Sequence, residues 1–191
     1  MTRSPLFSLP NTMLSRFSDL RVLAVLIFFG ILGTHLAQAQ APAAKLSTNL
    51  APQIEWPAFN DAFEAAKESK KIVLIDVWSS TCSWCRKQQT EVYTQPDLQK
   101  FLFENFELGR LDLDVTDDTL SFRGYTLSSQ MLAGGLGATG TPTTVFMETD
   151  GGYITRLQGF HAYQDFFDVL RFIGTESFRD MSFEEFMAEK K

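Results

Sequence analysis

Two cysteines and two histidines are all the thiol and imidazole ligands that 191 residues offer to a metal. A structural zinc site takes four ligands; Cys82 and Cys85 supply two, and His35 and His161 stand at no ligand spacing from them. Metal binding as the main role is therefore a weak reading. A purely structural disulfide is a weak reading as well, because a single Cys-x-x-Cys pair closes too small a ring to restrain the unfolded chain much. Positive charge is scarce, with 17 Lys and Arg against 23 Asp and Glu and a net charge of −6. Such a surface recruits polyanions poorly, so no nucleic acid partner is expected. Internal repeats are absent, and no low-complexity tract stands beyond residues 40–55.

Only one apolar run approaches the length of a membrane span, Val22 to Leu36, and Gly30, Gly33, Thr34 and His35 weaken its end. Arg3, Arg16 and Arg21 precede it, and the small-residue stretch Ala37-Gln-Ala39-Gln-Ala41 follows. A basic segment, an apolar segment and a small-x-small site mark a secretory signal peptide over residues 1–39, with a retained membrane anchor as the alternative. Loss of three Arg and one Asp with that segment leaves 14 basic and 22 acidic side chains, a net charge of −8. Residues 40–55, rich in Ala, Pro, Gln, Ser and Thr, read as a flexible leader. Residues 56–191 then form one domain with one core.

Within that domain the pattern alternates. Phe59 to Ser69 carries Phe59, Ala62, Phe63 and Ala66 at helical spacing, and Ile72 to Trp78 is a strand apolar on both faces. Cys82 to Val92 reads as helix, and Pro96-Asp97 opens another. Phe106 to Leu113 is a second strand, and Leu127 to Leu136 a helix ending in glycines. Thr143 to Glu148 and Tyr153 to Gln158 flank the hairpin turn Thr149-Asp-Gly-Gly152. Helices over Tyr163 to Ile173 and Phe183 to Glu189 close the chain. Strands alternating with helices predict an α/β fold with a central mixed sheet flanked by helices.

The chemistry concentrates in Trp78-Ser-Ser-Thr-Cys82-Ser-Trp-Cys85-Arg86, an apolar strand running through a polar loop into a helix. A thiol at the first turn of a helix faces unpaired amide N–H groups and the positive end of the macrodipole, which stabilise a thiolate. Cys85 lies about one turn on, within disulfide reach. That arrangement suits thiol–disulfide exchange, with Cys82 as the attacking nucleophile and Cys85 as the resolving thiol. The buried strand places Asp76 where a carboxylate has a raised pKa and can take the Cys85 proton; capping a nearby backbone group is the alternative. Trp78 and Trp84 read as an apolar rim around the sulfur, with core packing a compatible role for Trp78 and partner contact for Trp84. The many phenylalanines read as core, and His161 as a surface residue.

With Asp76 six residues and Trp78 four residues before Cys82, and with Gly140-Thr-Pro142-Thr143 leading into a strand, the order of parts resembles thioredoxin over roughly residues 56–175. Gly151 and Gly159 stand where that family's hairpin and following turn carry glycine. The resemblance implies a thioredoxin fold with a cis Pro142. That would bring the Thr141 backbone close to Cys82, where it can pair with an extended substrate segment. It also sets Arg110 at the family's lysine position near the buried acid. Ser83-Trp84 departs from the Gly-Pro of thioredoxin, so that protein's redox potential does not carry over.

The long segment Asp114 to Gln130, Thr141-Pro-Thr-Thr-Val-Phe146 and the tail Phe178 to Phe186 resemble exported thioredoxin-related proteins of the SoxW type. A weaker likeness to the C-terminal domain of the reductant conductor DsbD covers Trp78 to Lys87. Together with the signal peptide, these resemblances imply a periplasmic protein disulfide oxidoreductase acting on exported protein thiols and disulfides. A membrane-anchored protein facing the periplasm is the alternative, and nothing in the chain demands more than a monomer. The oxidoreductase would have no cofactor beyond the Cys82–Cys85 disulfide and would be fed by a DsbD-type membrane conductor. The preferred direction is reduction, since no histidine in the dipeptide stabilises the Cys82 thiolate and makes a strong oxidant. A disulfide oxidant or isomerase and a thioredoxin-fold copper-delivery module are the rival readings.

Overall fold

The computed structural model describes residues 51–189. In chain order, α1 (Phe59–Ser69) leads to β1 (Ile72–Trp78), and α2 (Ser83–Lys87) runs on through a π turn over Gln88–Val92. Helix α3 (Pro96–Asn105), strand β2 (Phe106–Asp112), the short pair β3 (Leu120–Phe122) and β4 (Tyr125–Leu127), and α4 (Ser129–Gly135) follow. The hairpin β5 (Thr143–Met147) and β6 (Tyr153–Gln158) precedes α5 (Tyr163–Gly174), a 3-10 turn over Ser177–Arg179, and α6 (Phe183–Glu189).

Four strands form one sheet in the order β2-β1-β5-β6. Strands β1 and β2 are parallel, as a crossover helix requires, while β5 runs antiparallel to β1 and β6 antiparallel to β5. The sheet is thus mixed and covered on both faces, the thioredoxin fold that the sequence predicts. Side chains of β1 alternate between two cores. Val73, Ile75 and Val77 join Phe59, Ala62, Leu132 and Ala133 of α1 and α4, whereas Ile72 and Leu74 join Tyr93, Leu98, Phe166 and Leu170.

That two-residue period decides where the polar residue goes. Asp76 falls on the face of Ile72 and Leu74, beneath the segment that carries the cysteines. Its register partners are Arg110 on β2 and Thr144 on β5, so the three form one row across the sheet.

Helix α1 approaches β2 closely because Gly109 carries no side chain. A Cβ there would stand 2.8 Å from the Ala62 Cβ and 2.9 Å from the Ile75 Cδ1. Gly109→Ala should lower the unfolding free energy by about 1–3 kcal/mol, the usual range for overpacking, in urea titrations at unchanged m-value.

Three sequence expectations change. The helix placed at Leu127 to Leu136 begins at Ser129, capped by the Ser128 hydroxyl, which accepts from Met131 N at 3.3 Å. Leu127 instead pairs with Leu120 in the β3–β4 hairpin, which lies within the long segment Asp114 to Gln130 and carries no strand signal of its own. Its turn, Arg123-Gly124, has φ of 51° and 84°, the left-handed pair of a type I′ connection. The hairpin docks on α1 through Phe122, 5.6 Å from Phe59 and 5.8 Å from Phe63 between ring centroids.

The third change concerns the segment read as a flexible leader. Over residues 51–55 it is docked: Ala51 N donates to Thr94 O at 2.8 Å, Gln99 Nε2 donates to Pro52 O at 2.6 Å, and Ile54 is buried in the core. One apolar side chain, one backbone–backbone hydrogen bond and one bond from the Gln99 side chain hold what composition alone marks as loose. The rest of that segment and the expected signal peptide lie outside the described residues. Among the described residues no helix is long and apolar enough to cross a membrane.

Candidate redox-active site

Cys82 occupies the N-cap of α2, and its Sγ accepts the amide N–H of Cys85 at 3.0 Å. The two cysteines form a disulfide, with their Cα atoms 5.3 Å apart. Cys82 is partly exposed, whereas Cys85 is 1% exposed, so one cysteine is open to solvent and the other packs in the core. The turn that presents Cys82 is clasped from β2's end. Asp114 accepts from Ser79 Oγ at 2.8 Å and from Ser80 N at 2.6 Å, and Arg86 donates to the Ser80 carbonyl. Those bonds hold the Asp114 carboxyl below its usual range.

Beneath α2, Asp76 is 1% exposed. Three donors converge on its Oδ2: Arg110 Nε at 3.0 Å, Arg110 Nη2 at 2.7 Å and Gln89 Nε2 at 3.3 Å. Burial raises its pKa above the ordinary carboxylate value, and the Arg110 charge and hydrogen bonds pull the other way without cancelling it. Oδ1 is left as the oxygen to take a proton. The Arg110 guanidinium is itself sandwiched, 4.6 Å from the Trp78 ring and 4.8 Å from the Trp56 ring. Trp78, expected on the rim of the sulfur, thus stacks on the counter-ion of Asp76.

On the outer side, Trp84 is 54% exposed. It lines a groove of about 260 Å³ with Thr141, Pro142, Gly159 and Phe160. The Thr141–Pro142 bond is cis. The structure therefore brings together Trp84 of the Cys-x-x-Cys dipeptide and the Thr-Pro loop more than fifty residues away. Phe160, which the sequence reading did not single out, pairs with Trp84 at 5.4 Å, and Lys87 Nζ stands about 5 Å above both rings. Gln89 and Trp56 were missed as well. For Gln89 the one signal is a pair of amides, Gln88 and Gln89, on the helix face that Cys85 and Val92 turn to the core; Trp56 carries none. His161 lies near the groove's last turn, its Nε2 3.1 Å from Gln158 O. Among the described residues no group of three His, Cys, Asp or Glu side chains could hold a metal ion.

A mixed sheet with a Cys-x-x-Cys disulfide at a helix N-terminus, a buried acid in the strand before it and a cis-proline loop against its dipeptide defines a thioredoxin-fold protein. Residues 59–174 match the thioredoxin-like domain family, and the chain belongs to that family. Among solved structures, a thioredoxin from Thermus thermophilus superposes with a TM-score of 0.53 at 23% identity, over 64% of this chain and 88% of that one. A thioredoxin-fold protein from Helicobacter pylori gives 0.52 at 22% identity, over 64% and 80%. At such identities the likeness is one of fold. An uncharacterized Caenorhabditis elegans protein is 27% identical over 136 residues, 69% of this chain and 18% of that protein. Mouse spermatogenesis-associated protein 20 is 30% identical over 66 residues, 34% of this chain and 8% of that protein. The chain spans less than a fifth of the length of these curated relatives.

Proposed function

We propose that this chain is an exported thiol–disulfide oxidoreductase of the SoxW type. It reduces disulfides of other periplasmic proteins as a monomer and recovers its electrons from a membrane conductor of the DsbD type. The observation that carries this reading is a disulfide of one partly exposed and one buried cysteine, with Trp84 between them in sequence lining a groove against the cis Thr141–Pro142 loop and Asp76 buried in the strand that leads to them.

The reduced Cys82 thiolate attacks a partner disulfide, forms a mixed disulfide and releases the first partner thiol. Asp76 takes the proton from Cys85, whose thiolate then attacks Cys82 Sγ. That step closes the Cys82–Cys85 disulfide and releases the second partner thiol. Two electrons pass from the dithiol to the partner, and a conductor dithiol restores them. Thr141 offers its backbone to an extended partner segment, and Trp84 and Phe160 receive an apolar side chain beside the target cysteine.

The direction is tested by the equilibrium potential of Cys82–Cys85 in defined thiol buffers. A value near about −270 mV supports a reductant, and one near about −120 mV overturns it in favour of a disulfide donor.

A further inference from the structure

The buried amide of Gln89 bridges two groups on opposite sides of it. Trp56 Nε1 donates to its Oε1 at 3.0 Å, and its Nε2 donates to Asp76 Oδ2 at 3.3 Å. An indole N–H can only donate. The Gln89 oxygen must therefore face Trp56, and its NH2 must face Asp76. The Trp56 segment is fixed in place independently. Arg110 N donates to Pro57 O at 2.9 Å, Ile54 is buried, and Trp56 packs edge-on against Tyr93 at 5.0 Å.

We propose that Trp56 and Gln89 are positioning residues for proton transfer at Asp76, the indole N–H locking the Gln89 amide so that it presents a donor to the carboxylate. A donor favours the ionised acid, the form that can accept the Cys85 proton. An amide free to flip would present its carbonyl instead, which favours the protonated acid and removes the base. The proposal rests on the oxidoreductase reading for its purpose, but not for its test. The charged and titratable groups around Asp76 are Arg110 on β2 and Tyr93 after the α2 segment, with Cys85 of α2 held in the disulfide; Thr144 on β5 carries no charge.

The test is the titration of the Asp76 carboxyl in the oxidised full-length chain, followed by carbon-13 NMR, where no thiol titrates. Gln89→Leu should move its midpoint upward by about one pH unit, the scale of one hydrogen bond to a charged group. Trp56→Phe should move it in the same direction. Phenylalanine keeps an aromatic ring against the Arg110 guanidinium, so the double variant should shift no further than Gln89→Leu alone, the lost indole N–H acting through Gln89. A merely structural role gives the opposite sign: a loosened segment admits water to Asp76 and lowers the midpoint. A downward shift, an unmoved midpoint in both variants, or shifts that add would each overturn the proposal. If the wild-type chain catalyses no disulfide exchange, the function above fails while this titration still decides the placement.

Discussion

Cys85→Ser should arrest the protein as a covalent complex with its partner. Cys82 stands partly exposed at the N-cap, where the Cys85 amide N–H and the helix dipole favour its thiolate, so the first attack survives. Release does not survive, because the buried sulfur that would displace the partner is gone. Multiple-turnover reduction of a disulfide substrate should fall by about 10³-fold or more, as when one member of a cooperating set is removed. A band sensitive to dithiothreitol should accumulate on non-reducing gels. Cys82→Ser should lose the activity to the same degree and trap nothing. Trapping by Cys82→Ser instead would reverse the roles assigned to the two thiols.

Asp76→Asn should slow the resolving step about 10²-fold near neutral pH, the low end of what a positioned base contributes. The slope of rate against pH through the Asp76 titration should disappear with it. The same substitution reports on stability. Asp76 is raised in the folded state by burial, above its value in the unfolded chain. Between those two values the folded protein binds the extra proton, so wild-type stability falls as pH rises through that window. The contribution is complete below the unfolded value and is lost above the folded one. Thermal melts from pH 4 to pH 8 should therefore show Asp76→Asn gaining on the wild type as pH rises. The reverse trend would mean that Arg110 outweighs burial and holds the acid ionised. The ion pair alone does not settle the sign, since taking a carboxylate out of water opposes what its partner returns.

Much of this arrangement was legible in the chain. A short continuous run of apolar, β-branched residues marks β1, helical spacing marks α1 and α5, and Cys82 to Cys85 after an apolar strand marks the helix start. The reading failed where strands are too short for a period to register. Leu120–Phe122 and Tyr125–Leu127 have three residues each, and only the Arg-Gly turn between them announces a hairpin. It failed again at residues 51–55, where composition predicts a loose leader and a single isoleucine finds a core.

By itself, the sequence determined what local chemistry determines: where the longer helices and strands lie, and that one thiol opens a helix with another a turn behind it. It also set the residue types at the Thr-Pro loop. Only the tertiary structure decided which groups meet. Strand register aligns Asp76 with Arg110 and Thr144, helix packing lowers Gln89 onto Asp76, and the fold carries Trp84 to Thr141 and Phe160. These contacts join residues many positions apart, and no local propensity encodes them. They exist because burying both faces of one sheet leaves a single alignment of its strands.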